Sequence, residues 1–166
     1  MSRFVVETPK LVLEALDSGL IVDHVIVSAD GAPDPEIEVR CTAAGTRLYS
    51  LDADVFAKLS DTRSPQPAMA VVEAPSLAVD DRFEVAGGMM LALVDVADPG
   101  NVGTLLRTAE ATGCIGVVAS GSTVDVLSPK VVRASAGSVL RVPIGEIAAT
   151  DLLATLKRAG RTVVAT

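Results

Sequence analysis

The sequence has few aromatic residues, one histidine and two cysteines among its 166 positions, and each shortage excludes a class of protein. Tryptophan is absent and aromatics make up 2% of the chain, which argues against the base-stacking sheets of RRM and OB domains. Two cysteines are too few for a disulfide scaffold or a zinc site and suggest a reducing cytosol. No apolar run approaches the roughly 18 residues of a membrane span, and the residues Met1 to Phe4 do not begin a signal peptide. These absences predict a soluble, cytoplasmic protein without a metal site.

Hydrophobic residues, by contrast, are abundant at 49% of the chain. This fraction excludes a disordered polymer and permits a well-buried core, which the shortage of aromatics leaves to Val, Leu, Ile and Ala. A chain of 166 residues suits one or two small domains, since domains usually hold about 100–200 residues.

Charge is unevenly distributed along the chain, whose formal net charge is −7. Residues 1–100 carry 7 basic and 17 acidic side chains, whereas residues 101–166 carry 7 basic and 4 acidic ones. The acidic total argues against a protein that binds nucleic acid by charge alone. The positive second part still allows a confined anion site, because local potential decides where a phosphate lies. A solvated surface of mixed charge is the alternative interpretation.

Residues 1–75 alternate between short β-branched runs and helical patterns, which predicts a small α/β domain. A strand at Phe4–Glu7 precedes a helix with Thr8 as its N-cap and Pro9 at its first position, and Gly19 marks the end of that helix. Further strands are predicted near residues 22–29, 46–50 and 68–73, and helices near residues 36–44 and after Asp52. The only histidine, His24, falls in the second strand, where we interpret it as a residue on the sheet surface.

Residues 76–88 are predicted to be a linker, because paired aspartates and paired glycines interrupt the pattern there. Residues 89–166 then alternate between strands and helices, which predicts a doubly wound parallel sheet. The nearly continuous apolar run at residues 89–96 is typical of a strand buried on both faces. The later predictions are helices at 102–112, after Ser128-Pro129 and at 147–159, and strands at 114–119, 140–144 and 161–165. Because the chain ends inside the last of these strands, we expect it to be a fragment of a longer protein.

The first chemistry-bearing segment follows the strand at residues 89–96. A Pro-Gly turn opens a helix there, and the free backbone N–H groups of a helix start attract anions. Asn101 offers an amide at the mouth of this helix. Gly103 and Arg107 share one helical face, and the glycine would leave room for the Arg107 side chain to bend over a ligand. The alternative is structural: Asn101 caps the helix, and Arg107 pairs with Glu110.

The second chemistry-bearing segment begins at Ser128-Pro129, a cap followed by a first helical turn. Lys130 and Arg133 are three residues apart and project from the same side of a helix. Two cations near a helix start oppose its macrodipole unless an anion lies between them, which favours a functional role. The small residues that follow, at positions 134–137, permit the close approach of another backbone or another subunit.

Together the two segments resemble the first two motifs of the SpoU (TrmH-type) ribose methyltransferases, in the SPOUT superfamily of trefoil-knotted enzymes. The matching residues are Asn101-x-Gly103-x-x-x-Arg107-x-Ala109, then Pro129-Lys130-x-x-Arg133-Ala134-Ser135-x-Gly137 and Pro143. Phe4-Val5-Val6-Glu7 with Pro9-Lys10-Leu11-Val12, and Leu59-Ser60-Asp61-Thr62 with Pro65-Gln66, resemble the L30e-like substrate-binding domain that precedes the knot in rRNA-directed members. Family members usually carry glycine after the first-strand glutamate, where this chain has Thr8.

The resemblance implies both a fold and an activity. It implies an L30e-like domain at 1–75, a linker at 76–88, and a parallel-sheet SPOUT domain at 89–166 that is truncated before its third motif. The implied reaction is S-adenosylmethionine-dependent methylation of a ribose 2′-hydroxyl in RNA, more in keeping with rRNA than tRNA, by a homodimer. Arg107 and Asn101 are the implied catalytic residues, and Lys130, Arg133 and Arg107 the implied RNA-binding residues. The cofactor-binding residues are expected beyond Thr166.

Alternative functions are also compatible with the residues. A non-catalytic RNA-binding or assembly factor with an incomplete knot domain is the main one. A Rossmann oxidoreductase is disfavoured, because no G-x-G-x-x-G follows either buried strand. A purely structural α/β module is opposed only by Lys130 and Arg133.

Overall fold

The structure, a computed structural model, describes residues 2–31, 34–60, 62, 64–79, 83 and 87–165. The chain divides into two compact units, Met1–Pro75 and Ser76–Thr166. Among the described residues, no helix is long and apolar enough to cross a membrane.

The first unit confirms the predicted alternation of strands and helices. Its elements in chain order are β1 (Arg3–Glu7), α1 (Pro9–Asp17), β2 (Val22–Ser28), α2 (Pro35–Ala44), β3 (Arg47–Leu51), α3 (Ala53–Leu59) and β4 (Ala68–Glu73). The four strands form one sheet in the order β1-β4-β2-β3, in which β4 runs antiparallel to both of its neighbours and β2 runs parallel to β3.

Helix α1 begins as the sequence predicts. The Thr8 hydroxyl accepts a hydrogen bond from the Leu11 backbone N–H at 3.2 Å, and Pro9 occupies the first helical position. Thr8 has an unusual backbone conformation, with a φ of 103° and a ψ of 142°. Residues with a Cβ rarely adopt such a conformation, which glycine adopts freely. The glycine that the family usually carries here therefore matches a requirement of the local backbone.

The core of the first unit is formed by side chains of its sheet and of its helices. Val6, Ala70 and Val25 are in register across three strands and are completely buried. Ile37 of α2 is also completely buried, and α2 packs against α1. Burying one such aliphatic side chain contributes about 1.5–3 kcal/mol. His24, half-buried on β2, lies with Nδ1 3.4 Å from an Asp23 carboxylate oxygen.

The second unit contains the predicted parallel sheet, in the order β5-β6-β7. Its elements are β5 (Met90–Val94), α4 (Pro99–Ala111), β6 (Gly116–Ser120), α5 (Pro129–Ala134), a 3-10 turn (Ser138–Leu140), β7 (Ile144–Ile147) and α6 (Ala149–Arg158). Helices α4 and α5 pack against each other, and α4 contacts β5 and β6. The α6 residue Leu152 packs with Val118 of β6.

Three details of the second unit differ from the predictions. Strand β5 is not buried on both faces, because Ala92 and Val94 on one face are exposed, Val94 by 48%. The strand predicted at residues 140–144 is displaced, since residues 138–140 form a 3-10 turn and β7 begins at Ile144. Residues 161–165 have no regular structure, and the Arg161 guanidinium instead donates hydrogen bonds to the backbone carbonyls of Phe83 and Gly88.

Part of the segment predicted as a linker packs within the second unit. The Phe83 side chain is 3% exposed and lies over two glycines of the sheet. A Cβ placed on Gly116 would lie 2.9 Å from the Phe83 ring, and one on Gly145 would lie 3.0 Å from it. The two glycines therefore make the space that the aromatic ring fills. The Glu146 backbone N–H also donates to the Leu77 carbonyl at 2.6 Å, which places residues near Leu77 beside β7.

Candidate functional site

The loops that follow β5 and β6 are joined through Asp95. This residue has a positive φ of 57°. Its carboxylate accepts hydrogen bonds from the Ser122 backbone N–H at 2.8 Å and from the Ser122 hydroxyl at 2.9 Å. Backbone conformations of this kind cost about 1–3 kcal/mol and cluster at functional sites. Asp95 therefore fixes the start of α4 relative to the neighbouring loop, a role that no sequence pattern indicated.

The carboxyl groups at these strand ends are tuned in opposite directions. The two Ser122 hydrogen bonds lower the pKa of Asp95, because they stabilise its charged form. Burial raises the pKa of Glu146 on β7, and the nearby negative charge of Asp125 raises it further. The pKa values of these two carboxyl groups are therefore shifted in opposite directions.

Asn101 lies in the first turn of α4, and its role differs from the structural alternative considered above. The helix cap is Asp98, whose carboxylate accepts a hydrogen bond from the Asn101 backbone N–H at 2.8 Å. The Asn101 side chain is not needed for capping, and the residue is exposed. Its amide is therefore available to a ligand at the start of the helix.

Arg107 is exposed on the same helix, together with Asn101 and Thr104. Among the described residues it makes no hydrogen bond or ion pair. The alternative in which it pairs with Glu110 is wrong, because the Glu110 carboxylate binds Ser138 and Arg141 instead. A guanidinium without an internal partner is available for a phosphate or a developing negative charge.

Gly103 has a different role from the one predicted. A Cβ at this position would lie 2.3 Å from the Ala134 Cβ and 2.8 Å from the Ser135 backbone nitrogen. The glycine therefore makes room for α5, which crosses α4 here, and not for the Arg107 side chain. The small residues Ala134 and Ser135 are explained by the same contact within the chain. Arg107, four residues beyond Gly103, is carried on this helix pair.

The two cations of α5 do not share one environment. Lys130, the second residue of this six-residue helix, is exposed, whereas Arg133 is half-buried and its Nη1 is fully buried. Arg133 also lies in the last turn, where the helix dipole favours a cation. The predicted electrostatic conflict at the helix start therefore concerns Lys130 alone.

A second cluster of motif residues lies in the first unit. The Ser60 hydroxyl donates to the buried Glu7 carboxylate at 3.1 Å and lies 2.9 Å from the Thr62 hydroxyl. The Thr8 backbone N–H donates to the Ala68 carbonyl at 3.0 Å. The two motif segments of the first unit, which are more than 50 positions apart in the chain, thus meet at one end of this unit.

The cavity beneath α6 does not suit S-adenosylmethionine. Such a ligand needs a cleft with several convergent polar groups. Ser120, at the end of β6, has a buried hydroxyl without a hydrogen-bond partner. The cavity beneath α6 is lined almost wholly by apolar side chains such as Val118, Phe83 and Leu152. No cofactor-binding residue is therefore assigned among the described residues.

Family comparisons agree with both motif sets. Residues 88–166 match the SpoU rRNA Methylase family, and residues 1–70 match the MRM3-like substrate binding domain. The chain is 33% identical over 144 residues, 86% of its length, to the 23S rRNA (guanosine(2553)-2′-O)-methyltransferase RlmP of Bacillus subtilis, covering 54% of that protein. It is 34% identical over 100 residues, 59% of its length, to the 23S rRNA (uridine(2479)-2′-O)-methyltransferase of Streptomyces viridochromogenes, covering 34% of that protein.

Solved structures show the same arrangement of elements. The AdoMet-bound rRNA methyltransferase from Sinorhizobium meliloti superposes with a TM-score of 0.80 and 28% identity, over 95% of this chain and 59% of that one. The chain spans about half the length of RlmP. The matched domains, the motif residues and the fold agree: residues 88–166 are a SpoU methylase domain, and an MRM3-like substrate-binding domain precedes it at residues 1–70.

Proposed function

We propose that this chain is part of an enzyme that methylates a ribose 2′-hydroxyl of ribosomal RNA and takes the methyl group from S-adenosylmethionine. The observation that carries the proposal is the exposed Arg107, which has no internal partner among the described residues and lies in the first SpoU motif. The relatives named above, which methylate 23S rRNA at ribose 2′-oxygens, support rRNA over tRNA as the substrate.

Arg107 is proposed to act electrostatically. The reaction needs a 2′-hydroxyl held in line with the donor methyl group, and this hydroxyl must lose its proton to become a good nucleophile. A guanidinium has a pKa above about 12 and does not serve readily as a base. Arg107 is instead proposed to stabilise the developing alkoxide and to hold the adjacent phosphate through its two-pronged donor geometry.

The other motif residues are proposed to hold the RNA. Asn101, exposed in the first turn of α4, would orient the ribose through its amide. Lys130 and Arg133 of α5 would contact the RNA backbone, with the exposed Lys130 presenting its whole ammonium group. The packing of α4 on α5 at Gly103 supports this assignment, because it holds both groups of residues on one rigid helix pair.

The first unit is proposed to select the RNA. Its match to a substrate-binding domain supports this role. The bases methylated by the two relatives differ, a guanosine in one and a uridine in the other. The proposal therefore extends to the ribose and not to a particular base.

Two further parts of the proposal concern assembly and location. The family resemblance supports a homodimer, to be tested by light scattering, although Ala134 and Ser135 are already occupied by contacts with Gly103. The two cysteines are both free, which agrees with a reducing cytoplasm.

The test replaces Arg107 by lysine in the whole protein that contains this chain. Lysine keeps the charge and loses the fork, so methyl transfer from labelled S-adenosylmethionine to rRNA is expected to slow by about 100-fold, as for loss of a preorganised donor. Arg158→Lys, an arginine exposed on α6, is the matched control and should retain full turnover. Full turnover in the Arg107→Lys variant would refute the proposed clamp. Absence of methylation in the wild-type protein, with RNA binding retained, would favour the non-catalytic alternative.

A further inference from the structure

Glu110 lies three residues beyond Arg107 on α4, where an acidic side chain ordinarily pairs with a neighbouring cation. Here the Glu110 carboxylate binds two other residues, Ser138 and Arg141. Its Oε2 accepts a hydrogen bond from the Ser138 hydroxyl at 2.6 Å and another from Arg141 Nη2 at 3.1 Å. Its Oε1 is bound by Arg141 Nε.

The segment that supplies these two donors is held rigidly. Ser138 is the first residue of the 3-10 turn, and Gly137 immediately before it has a positive φ of 93°. Val139, Leu140 and Val142 are all buried, so the residues on either side of Arg141 are anchored in the core. Because both Ser138 and Arg141 have fixed positions, Glu110 has a preformed site outside its own helix.

We propose that Arg141 is a positioning residue that holds Glu110 away from Arg107 and so keeps the Arg107 guanidinium available to RNA. This inference rests on the proposed role of Arg107 in binding the ribose and its phosphate. Arg141 needs no contact with RNA to act in this way. Its effect on Arg107 is transmitted by the carboxylate that both arginines are able to bind.

The electrostatic balance favours this arrangement over the alternative pair. The hydrogen bonds from Arg141 and from Ser138 lower the pKa of Glu110, because they stabilise its charged form. If Arg141 is removed, Ser138 still holds Oε2, but Oε1 loses its donor. Arg107 is then the adjacent cation on the same helix, and an i,i+3 pair forms between them. That pair would neutralise the charge that the proposed function needs.

The experiment measures the chemical accessibility of Arg107 directly. The full chain is treated with phenylglyoxal, which modifies free guanidinium groups, and the labelling rate of the Arg107 peptide is followed by mass spectrometry. The wild type is compared with Arg141→Gln and with the double variant Arg141→Gln/Glu110→Gln. Arg158 serves as an internal reference, since it is an exposed arginine of the same unit.

Arg141→Gln is expected to slow Arg107 labelling about twofold, the population shift that corresponds to an exposed i,i+3 ion pair. The double variant is expected to return to the wild-type rate, because the carboxylate that captures Arg107 is gone. A loss of local structure would not be rescued by a second substitution, so the return distinguishes positioning from packing. Arg141→Lys keeps a cation for Glu110 and loses the planar fork, so it should give an intermediate rate. This variant also guards against misfolding of the glutamine variant.

Two results would overturn the inference. One is an Arg107 labelling rate that does not change in Arg141→Gln, and the other is a double variant that stays as slow as the single one. The labelling pattern needs neither RNA nor cofactor, so it is independent of the proposed function. The affinity for rRNA of an Arg107→Gln variant tests the proposed role of Arg107 separately. If this affinity is unchanged while labelling follows the expectation, the proposed role of Arg107 fails and the positioning of Glu110 by Arg141 stands.

Discussion

Replacement of Thr8 by glycine is expected to stabilise the first unit. Thr8 is held at φ 103° and ψ 142°, and strain of this kind costs about 1–3 kcal/mol in a residue with a Cβ. Glycine removes that strain. Two effects oppose this gain. Loss of the hydroxyl that caps α1 costs a few tenths of a kcal/mol when glycine is the replacement. The greater conformational entropy of glycine in the unfolded chain costs about 0.5–1 kcal/mol more. The central values of these three terms leave a gain of about 1 kcal/mol.

The assay is thermal and urea unfolding of the full chain, with a signal assigned to the first unit. For a unit of this size, 1 kcal/mol corresponds to a rise in Tm of about 4–8 °C. Thr8→Ala is the matched control, because it loses the cap and retains the Cβ, and should lower stability by about 1 kcal/mol. Opposite signs for the two variants identify backbone strain as the cause. A glycine variant that is less stable than the wild type would refute the reasoning.

Two further predictions concern the second unit. Gly103→Ala is expected to destabilise it by about 1–3 kcal/mol in urea unfolding, because the new methyl group meets the Ala134 and Ser135 backbone. Gly100→Ala, whose Cβ would meet only an Asp98 carboxylate oxygen at 3.0 Å, should be close to neutral, and equal effects of the two would contradict the close helix crossing. Glu110→Gln should cost stability at neutral pH but progressively less as the pH falls below about 4.5, because the lowered pKa of Glu110 means that its contribution is lost on protonation of the folded state. A cost that is the same at pH 7 and at about pH 3 would contradict the Arg141 pairing.

Local signals in the sequence identified most elements because each signal has a local physical cause. The Thr8-Pro9 pair predicts the start of α1, because capping and the fixed φ of proline act within one turn. Ser128-Pro129 predicts the start of α5 through its proline alone, since the Ser128 hydroxyl makes no capping hydrogen bond. The apolar residues near Leu140 were assigned to a strand, although they form a buried 3-10 turn. Burial produces an apolar run in either case, so periodicity cannot separate the two over so few residues.

The candidate site was predictable only where a motif carried it. Arg107 and Asn101 were identified from the resemblance, and their exposure is compatible with that assignment. The contact of Gly103 with Ala134 and the pairing of Glu110 with Arg141 were both missed. The second pair is separated by 31 positions, and no local pattern announces a contact over that distance. The positive φ of Asp95 also had no signal, because aspartate is not a residue that demands such a backbone.

The Phe83 ring packs on Gly116 and Gly145, and this contact decides where the chain should be cut to produce the second unit by itself. A shortened protein that starts at Met89, where the apolar run begins, would omit the ring and leave bare backbone on β6 and β7. Water would then reach the side of the sheet that Val118 and Leu152 now share with Phe83. A protein that starts at Ser76 retains Phe83 and keeps its ring packed on β6 and β7.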